Sequence, residues 1–332
     1  MLIKGGKLIE PHISYLLKYR GRPRIVMIER TMRDFFLFLS KNKAMTKVAK
    51  KYGLQFGASR FVAGEEIEQA VEVIKKLNKE GLAVTIDFLG EFVDNEEEAN
   101  FMTDNSIEAV RAIGREELNS QLSLKMTSLG LDISDEIVMG NMRRILDAAH
   151  EEEVFVTIDM EDYTRCGKTL EIFKKLKSEY EDIGTVIQSY LYRTEKDIDD
   201  LNEISPNLRL VKGAYKESPE VAYPNKEDVN RNLKKIIRIH LLNGNYAAIA
   251  SHDEEIINFT KNLSAEYSIP YTQFEFQMLF GVREELQRQL VAEGYKMRVY
   301  MPYGSDWYGY FMRRLAERPA NVAFVAKGIL KK

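Results

Sequence analysis

Residues 121–159 read QLSLKMTSLGLDISDEIVMGNMRRILDAAHEEEVFVTID. A short run at 121–126 gives way to Ser134, standing ahead of Asp135 and Glu136, and then to apolar residues at helical spacing as far as His150. A second short run, rich in β-branched residues, follows at 154–159. A serine before two acids opens a helix, because its hydroxyl accepts from an orphan N–H and the acids suit the positive end of the dipole. The stretch therefore reads strand, helix, strand, with no glycine-rich turn between them.

The same rhythm extends in both directions. Strands are predicted at 82–87, 121–126, 154–159, 185–190, 208–212, 246–250, 273–279 and 297–301, with helices near 95–115, 135–150, 165–180, 195–204, 227–242, 253–265, 282–293 and 306–317. Ser251 before Asp253 and Glu254, and Ser305 before Asp306, repeat the helix-start signal. Eight strands alternating with eight helices over about 250 residues is the arithmetic of an α/β fold of the (β/α)8 TIM-type barrel. A doubly wound open sheet shares the alternation, but it normally carries a phosphate-binding glycine turn, and neither GxGxxG nor GxxxxGK[ST] occurs. The amphipathic segments 32–58 and 64–80 are predicted to be extra helices packed on the barrel. We expect one domain over 32–332, made of these helices up to residue 80 and the barrel from 81 onward.

Residues 1–31 break the pattern. They hold Lys4, Lys7, Lys18, Arg20, Arg22, Arg24 and Arg30 against Glu10 and Glu29, with Pro11 and Pro23 interrupting any period. No continuous apolar stretch follows the basic start, as a signal peptide would require. The expectation is a disordered basic extension ahead of Met32; an arm for anionic lipid is the alternative.

Composition narrows the function classes. The chain has 332 residues, 45% hydrophobic and 30% charged, with 48 Lys and Arg against 51 Asp and Glu. A net charge of −3 argues against nucleic acid as the main partner. A single cysteine, Cys166, rules out disulfide frameworks and thiolate metal clusters and suits a reducing cytoplasm. The longest apolar run, at 35–39, is far shorter than the ~20 residues of a spanning helix. Four histidines without HxH or HExxH spacing predict no metal site.

In a barrel, chemistry gathers where strands end. Strand 1 delivers Asp87 and then Glu91, strand 2 Lys125, and strand 3 Asp159 and Glu161. Strand 4 carries Gln188 and Tyr190, strand 5 Arg209 and Lys212, strand 6 Ser251 and His252, strand 7 Glu275 and Gln277, and strand 8 Tyr300. Polar loops are ordinary, yet Lys125, Asp159, Arg209 and Lys212 lie within apolar runs, and buried charges need partners or a ligand. After strand 8, Tyr310 precedes Arg313 by three residues and Arg314 by four, and Glu317 follows them at the same spacings. One helix face thus carries an aromatic ring and two guanidinium forks, suited to clamping a small carboxylate or, equally, to a surface ion-pair ladder.

Eight ordered motifs carry a family likeness from about residue 32 onward. They are Leu-Gly-Glu91, Leu-Lys125-Met-Thr-Ser, Ile-Asp159-Met-Glu-Asp, Gln188-Ser-Tyr, Arg209-Leu-Val-Lys-Gly-Ala-Tyr215, Ser251-His-Asp, Phe-Glu-Phe-Gln277-Met-Leu279-Phe-Gly and the Tyr300 to Glu317 segment. On these the chain resembles monofunctional bacterial proline dehydrogenases. The resemblance implies a distorted barrel with its last helix over the mouth, FAD as cofactor, and oxidation of L-proline to Δ1-pyrroline-5-carboxylate by hydride transfer to flavin N5. It implies Arg313 and Arg314 on the proline carboxylate with Lys125 in support, and Tyr300, Tyr310 and Leu279 around the ring. Asp159 would complete the site, and Glu91 would pair with the second arginine. Toward the cofactor it implies Arg209 near N5, Gln188 at the pyrimidine edge, and Lys212, Gly213, Tyr215, Ser251 and His252 as further contacts.

The implied partners are a membrane quinone as electron acceptor and a separate pyrroline-5-carboxylate (glutamate-semialdehyde) dehydrogenase downstream, with the chain cytoplasmic or peripheral on the inner membrane face. Segment 32–50 is expected to pack on the barrel rather than on lipid. Lys216-Glu217 departs from the aromatic residue of bifunctional relatives. Two rivals stay open: a lyase using Lys125 or Lys212 as a Schiff-base amine, and a barrel that binds an amino acid without turnover.

Overall fold

The computed structural model describes residues 58–317. The expectations for 1–31 and 32–57 therefore lie outside the described residues, as does everything beyond Glu317. The chain divides into two compact units, Ala58–Trp307 and a second that contains the described stretch from Tyr308 onward.

The larger unit opens with helix α1 (Ile67–Lys79) and continues through alternating elements. Strands β1 (Ala83–Phe88), β2 (Ser120–Leu124), β3 (Val156–Ile158) and β4 (Ile183–Gln188) alternate with helices α2 (Glu96–Arg115), α3 (Asp135–Glu151) and α4 (Tyr163–Lys177). Then come α5 (Thr194–Leu201), β5 (Asn207–Val211), α6 (Lys226–Leu242), β6 (Ala247–Ala250), α7 (Glu254–Tyr267), β7 (Phe274–Leu279), α8 (Glu284–Ala292) and β8 (Met297–Tyr303). Helix α9 (Trp307–Glu317) crosses into the second unit. All strand pairs are parallel and β1 also pairs with β8, closing an eight-stranded barrel. The (β/α)8 reading is borne out, with strand bounds shifted by one or two residues.

Helix starts follow the anticipated chemistry. Ser134 accepts from the Ile137 N–H and Asn95 from the Glu98 N–H. Helix α4 starts at Tyr163, two residues earlier than predicted, because the Tyr163 N–H donates to Glu217 Oε1 at 2.8 Å, a partner 54 residues away.

Register explains why charges sit in apolar runs. Partners such as Asp87–Ser123, Ser123–Thr157, Arg209–Ala248, Gln277–Arg298 and Leu279–Tyr300 carry one facing round the ring. Asp87, Ser123, Gln188, Arg209, Glu275, Gln277, Leu279, Arg298 and Tyr300 all point into the barrel. The alternate residues, among them Ile86, Leu122, Ile158, Leu210, Ile249, Phe276 and Val299, point outward and are completely buried beneath the helices. Each such side chain stabilises the fold by about 1.5–3 kcal/mol. The apolar layer is outside the strands, and the lumen is polar.

Candidate active site

At the C-terminal mouth, five lumen side chains from five strand ends converge. Lys125 Nζ donates to Asp87 Oδ2 at 2.8 Å and lies 3.8 Å from Asp159 Oδ2. The Tyr300 hydroxyl is 2.8 Å from Asp87 Oδ2 and 2.7 Å from Asp159 Oδ2. Arg209 Nη1 donates to Asp159 Oδ1 at 2.5 Å and to Ser123 Oγ at 3.1 Å, and its guanidinium lies 5.2 Å from the Tyr300 ring centroid. Arg209 nevertheless keeps Nε and Nη2 buried without a protein acceptor. That is the site's clearest unmet demand, since a buried charged donor without an acceptor costs about 1–3 kcal/mol.

Electrostatics sorts the roles. Burial works against the Lys125 ammonium, but the carboxylates of Asp87, Asp159 and Glu91 overcome it and hold its pKa well above the ordinary lysine value. An amine held so firmly protonated is unsuited to Schiff-base attack. Burial raises the Asp87 carboxyl, assisted by the Asp159 charge and opposed by Lys125. Burial likewise raises the Tyr300 phenol.

A second group surrounds the β1–α2 loop. Glu161, to which sequence reasoning gave no role, is buried, and Thr127 donates to it twice, through its hydroxyl (2.5 Å) and its N–H (3.1 Å). Burial pushes this carboxyl up to about 7 against those two hydrogen bonds. Its backbone carbonyl accepts from Gln188 Nε2 at 2.8 Å. Thr127 also holds the loop itself: its hydroxyl accepts from the Phe92 N–H and its carbonyl from the Val93 N–H. Phe92, next to Glu91, has φ +56°, a conformation non-glycine residues adopt at a cost, and Arg165 lies over its ring at 5.1 Å. The Tyr215 phenol, raised by burial, feels the charges of Glu91, Glu161, Lys125 and Asp159.

A third group spans the ends of β5, β6 and β7. Lys212 Nζ donates to Asp253 Oδ2 at 2.6 Å, and Ser251 Oγ accepts from the Asp253 N–H at 3.1 Å. His252 Nε2 accepts from the Leu279 N–H at 3.0 Å, which puts the proton of a neutral ring on Nδ1. Gly213 has φ +111°, and a Cβ there would come within 2.2 Å of the Tyr190 ring, so only glycine allows the approach.

Two strand-end expectations need correcting. Tyr190 lies beyond β4, which starts and ends two residues before the predicted strand. Glu275 is the second residue of β7 and sits at the opposite end of the barrel. There it accepts from Arg298 Nε at 2.7 Å, Gln277 Nε2 at 2.6 Å and the Tyr246 hydroxyl at 3.0 Å, with Lys296 Nζ 3.2 Å away. Alternation along a strand says which residues share a face, not which end is the mouth.

Tyr310, Arg313 and Arg314 belong to the second unit, where the Arg314 guanidinium lies 4.9 Å from the Tyr310 ring centroid, as their i, i+4 spacing requires. Glu317 ends α9, and its side chain lies outside the described residues. No group of three or more His, Cys, Asp or Glu suited to a metal occurs among the described residues, and no described helix is long and apolar enough to cross a membrane.

Comparison with known proteins bears directly on this geometry. A model of the proline dehydrogenase family matches residues 70–327. Proline dehydrogenase 1 of Bacillus subtilis strain 168 is 56% identical over 301 residues, covering 91% of this chain and 100% of the relative. Proline dehydrogenase of Deinococcus radiodurans is 42% identical over 310 residues, 92% of this chain and 100% of that protein. Among solved structures, proline utilization A from Bdellovibrio bacteriovorus, inactivated by N-propargylglycine, superposes with a TM-score of 0.77 at 27% identity, over 92% of this chain and 38% of that one.

Proposed function

The chain belongs to the proline dehydrogenase family and is an enzyme of proline oxidation, and from that premise we propose that it works with FAD bound at the barrel mouth and passes electrons to a membrane quinone. The observation that supports the cofactor reading is Arg209, whose two buried donors call for a group rich in hydrogen-bond acceptors close to Asp159, as a flavin is. The donor set suits a flavin: Arg209 toward N5, Gln188 toward the pyrimidine edge, and Lys212, Gly213, Tyr215, Ser251 and His252 along the rest. When bound, the flavin supplies the two-electron acceptance that no side chain here can provide.

The protein's own part is binding and orientation. Arg313 and Arg314 fork onto the substrate carboxylate, with the firmly protonated Lys125 in support. By the family likeness Glu91 would pair with the second arginine, and by helical spacing Glu317 would hold the guanidiniums. Tyr300, Tyr310 and Leu279 cradle the apolar ring, while Asp159 fixes Arg209 and Tyr300 relative to one another. The imine product passes to a separate dehydrogenase, and the chain acts at the inner face of the membrane, where the quinone is held.

The visible spectrum of purified holoenzyme, recorded anaerobically before and after L-proline, tests this. Bleaching of the oxidised flavin band by L-proline but not D-proline is the expected result. A band untouched by L-proline would overturn the site assignment, and a protein that takes up no flavin would overturn the cofactor.

A further inference from the structure

Two carboxylates share one hydroxyl at the mouth. Tyr300 Oη is within hydrogen-bond distance of both Asp87 Oδ2 and Asp159 Oδ2, yet a phenol has one proton to donate. With both carboxylates ionised, one of these short O···O contacts has no proton in it. One added proton completes the chain, Asp87–OH to Tyr300 and Tyr300–OH to Asp159. The constellation is therefore built to accept a single proton.

We propose that Asp87, reached through Tyr300, holds the proton that the substrate amine releases on oxidation. This rests on the reading of the site as that of a flavin-linked proline oxidiser. The ring nitrogen of proline is a dialkylammonium with two protons, and its electron pair is free to form a C=N bond only after one has left. The adjacent C–H then breaks, its hydrogen and electron pair going to the flavin as oxidant, and the second N–H proton is lost to water when the iminium becomes the imine. The first proton is the one assigned here: it enters at Asp159 or Tyr300 and comes to rest on Asp87.

Three observations favour Asp87 as its resting place. Its side chain is 4% exposed against 13% for Asp159, so it is the better sheltered end of the relay. Asp159 Oδ1 already accepts from Arg209 Nη1 and Ser123 Oγ, whereas Asp87 Oδ2 meets one cation, Lys125, beside the phenol. The charged and titratable groups acting on the pair are Lys125 after β2, Arg209 on β5, Tyr215 beyond β5, and Tyr300 and Tyr303 on β8, with Glu91 acting on Lys125. Burial raises the Asp87 carboxyl, the direction a proton store requires.

Infrared difference spectroscopy of the holoenzyme, reduced anaerobically by L-proline, tests the assignment. The expected result is a new carbonyl band of a protonated carboxylic acid that shifts in D2O and is missing from Asp87→Asn. Asp87→Glu keeps a carboxyl and should move the band, so the assignment stays testable if the asparagine variant fails to fold. A pH indicator in weak buffer should show wild type releasing about one proton fewer per flavin reduced than Asp87→Asn. A band unchanged in both variants, or no band while the flavin bleaches, would overturn the proposal. A flavin that L-proline leaves oxidised would overturn the underlying reading instead, so colour and carbonyl band report the two failures separately.

Discussion

The two ends of the barrel lumen bury charges in opposite ways. At the N-terminal floor, Glu275 is saturated by Arg298, Gln277, Tyr246 and Lys296, and Arg298 spends a second donor on the Val84 carbonyl at 2.7 Å. At the mouth, Arg209 leaves two buried donors unanswered, and two carboxylates compete for one phenolic proton. Glu275 and Arg298 form a completed structural ion pair, with one amide oxygen, Gln277 Oε1, unanswered beside it, and the mouth holds charged binding capacity in reserve. In barrels of this type the bottom serves stability and the top serves chemistry.

The comparison breaks most sharply at the floor. Glu275→Leu strands the buried Arg298 guanidinium and should cost about 3–5 kcal/mol. Equilibrium urea unfolding would read this, and a loss under about 1 kcal/mol would make the floor pair dispensable. At the mouth, Arg209→Lys keeps the charge on Asp159 but removes the spare donors. It should weaken flavin binding by about 2 kcal/mol, some thirtyfold, while unfolding changes by less than about 1 kcal/mol. Arg314→Met should raise KM for proline by a similar factor, with the urea midpoint unmoved. An unchanged KM would remove that arginine from the substrate clamp.

Acidity separates the ends again, with opposite sign. His240, whose Nε2–H donates to the Tyr246 carbonyl at 2.9 Å, is lowered by burial to about 4, so the unfolded chain binds the extra proton and stability falls as pH drops from about 6.5 toward 4. Burial opposes ionisation of Glu275, but Arg298 and Lys296 prevail and lower it to about 2, extending the acid loss below pH 4.5. Glu161 is raised by burial from 4.5 to about 7, so the folded chain keeps a proton that the unfolded one has lost, and stability falls as pH rises through that window. Glu161→Gln should flatten the second trend, by on the order of 1 kcal/mol at pH 8, in a series of melting temperatures against pH. An unaltered slope would deny Glu161 its buried proton. As a control for both ends, Arg143→Ala removes an exposed two-pronged pair with Glu179 and should change stability by about 0.5 kcal/mol or less.

How much of this was legible beforehand follows from range. Strand and helix existence is set by local alternation and by capping residues such as Ser134, so the barrel could be read from the chain. Asp87, Lys125, Asp159, Arg209 and Tyr300 could be nominated as strand-end charges, but not their meeting, which depends on register between strands up to 213 residues apart. Glu275 was misread because a strand's sequence does not say how far along the lumen each residue sits. Glu161 could be nominated as a strand-end acid but given no role, since its partner, Thr127, arrives from a neighbouring segment. The early start of α4 was hidden for the same reason, its cap arriving from Glu217.

The strict alternation of lumen and helix-facing residues also bears on how such a chain can change over generations. A substitution at a lumen position such as Arg209 or Leu279 alters what the barrel handles while leaving the apolar shell beneath the helices intact. One at the next position along, such as Leu210 or Met278, does the reverse. At the mouth, inheritance thus has separate dials for chemistry and for foldability threaded on the same strands, whereas lumen positions at the floor such as Glu275 and Arg298 serve foldability. New specificities can be sampled here without first spending the stability that keeps the barrel closed.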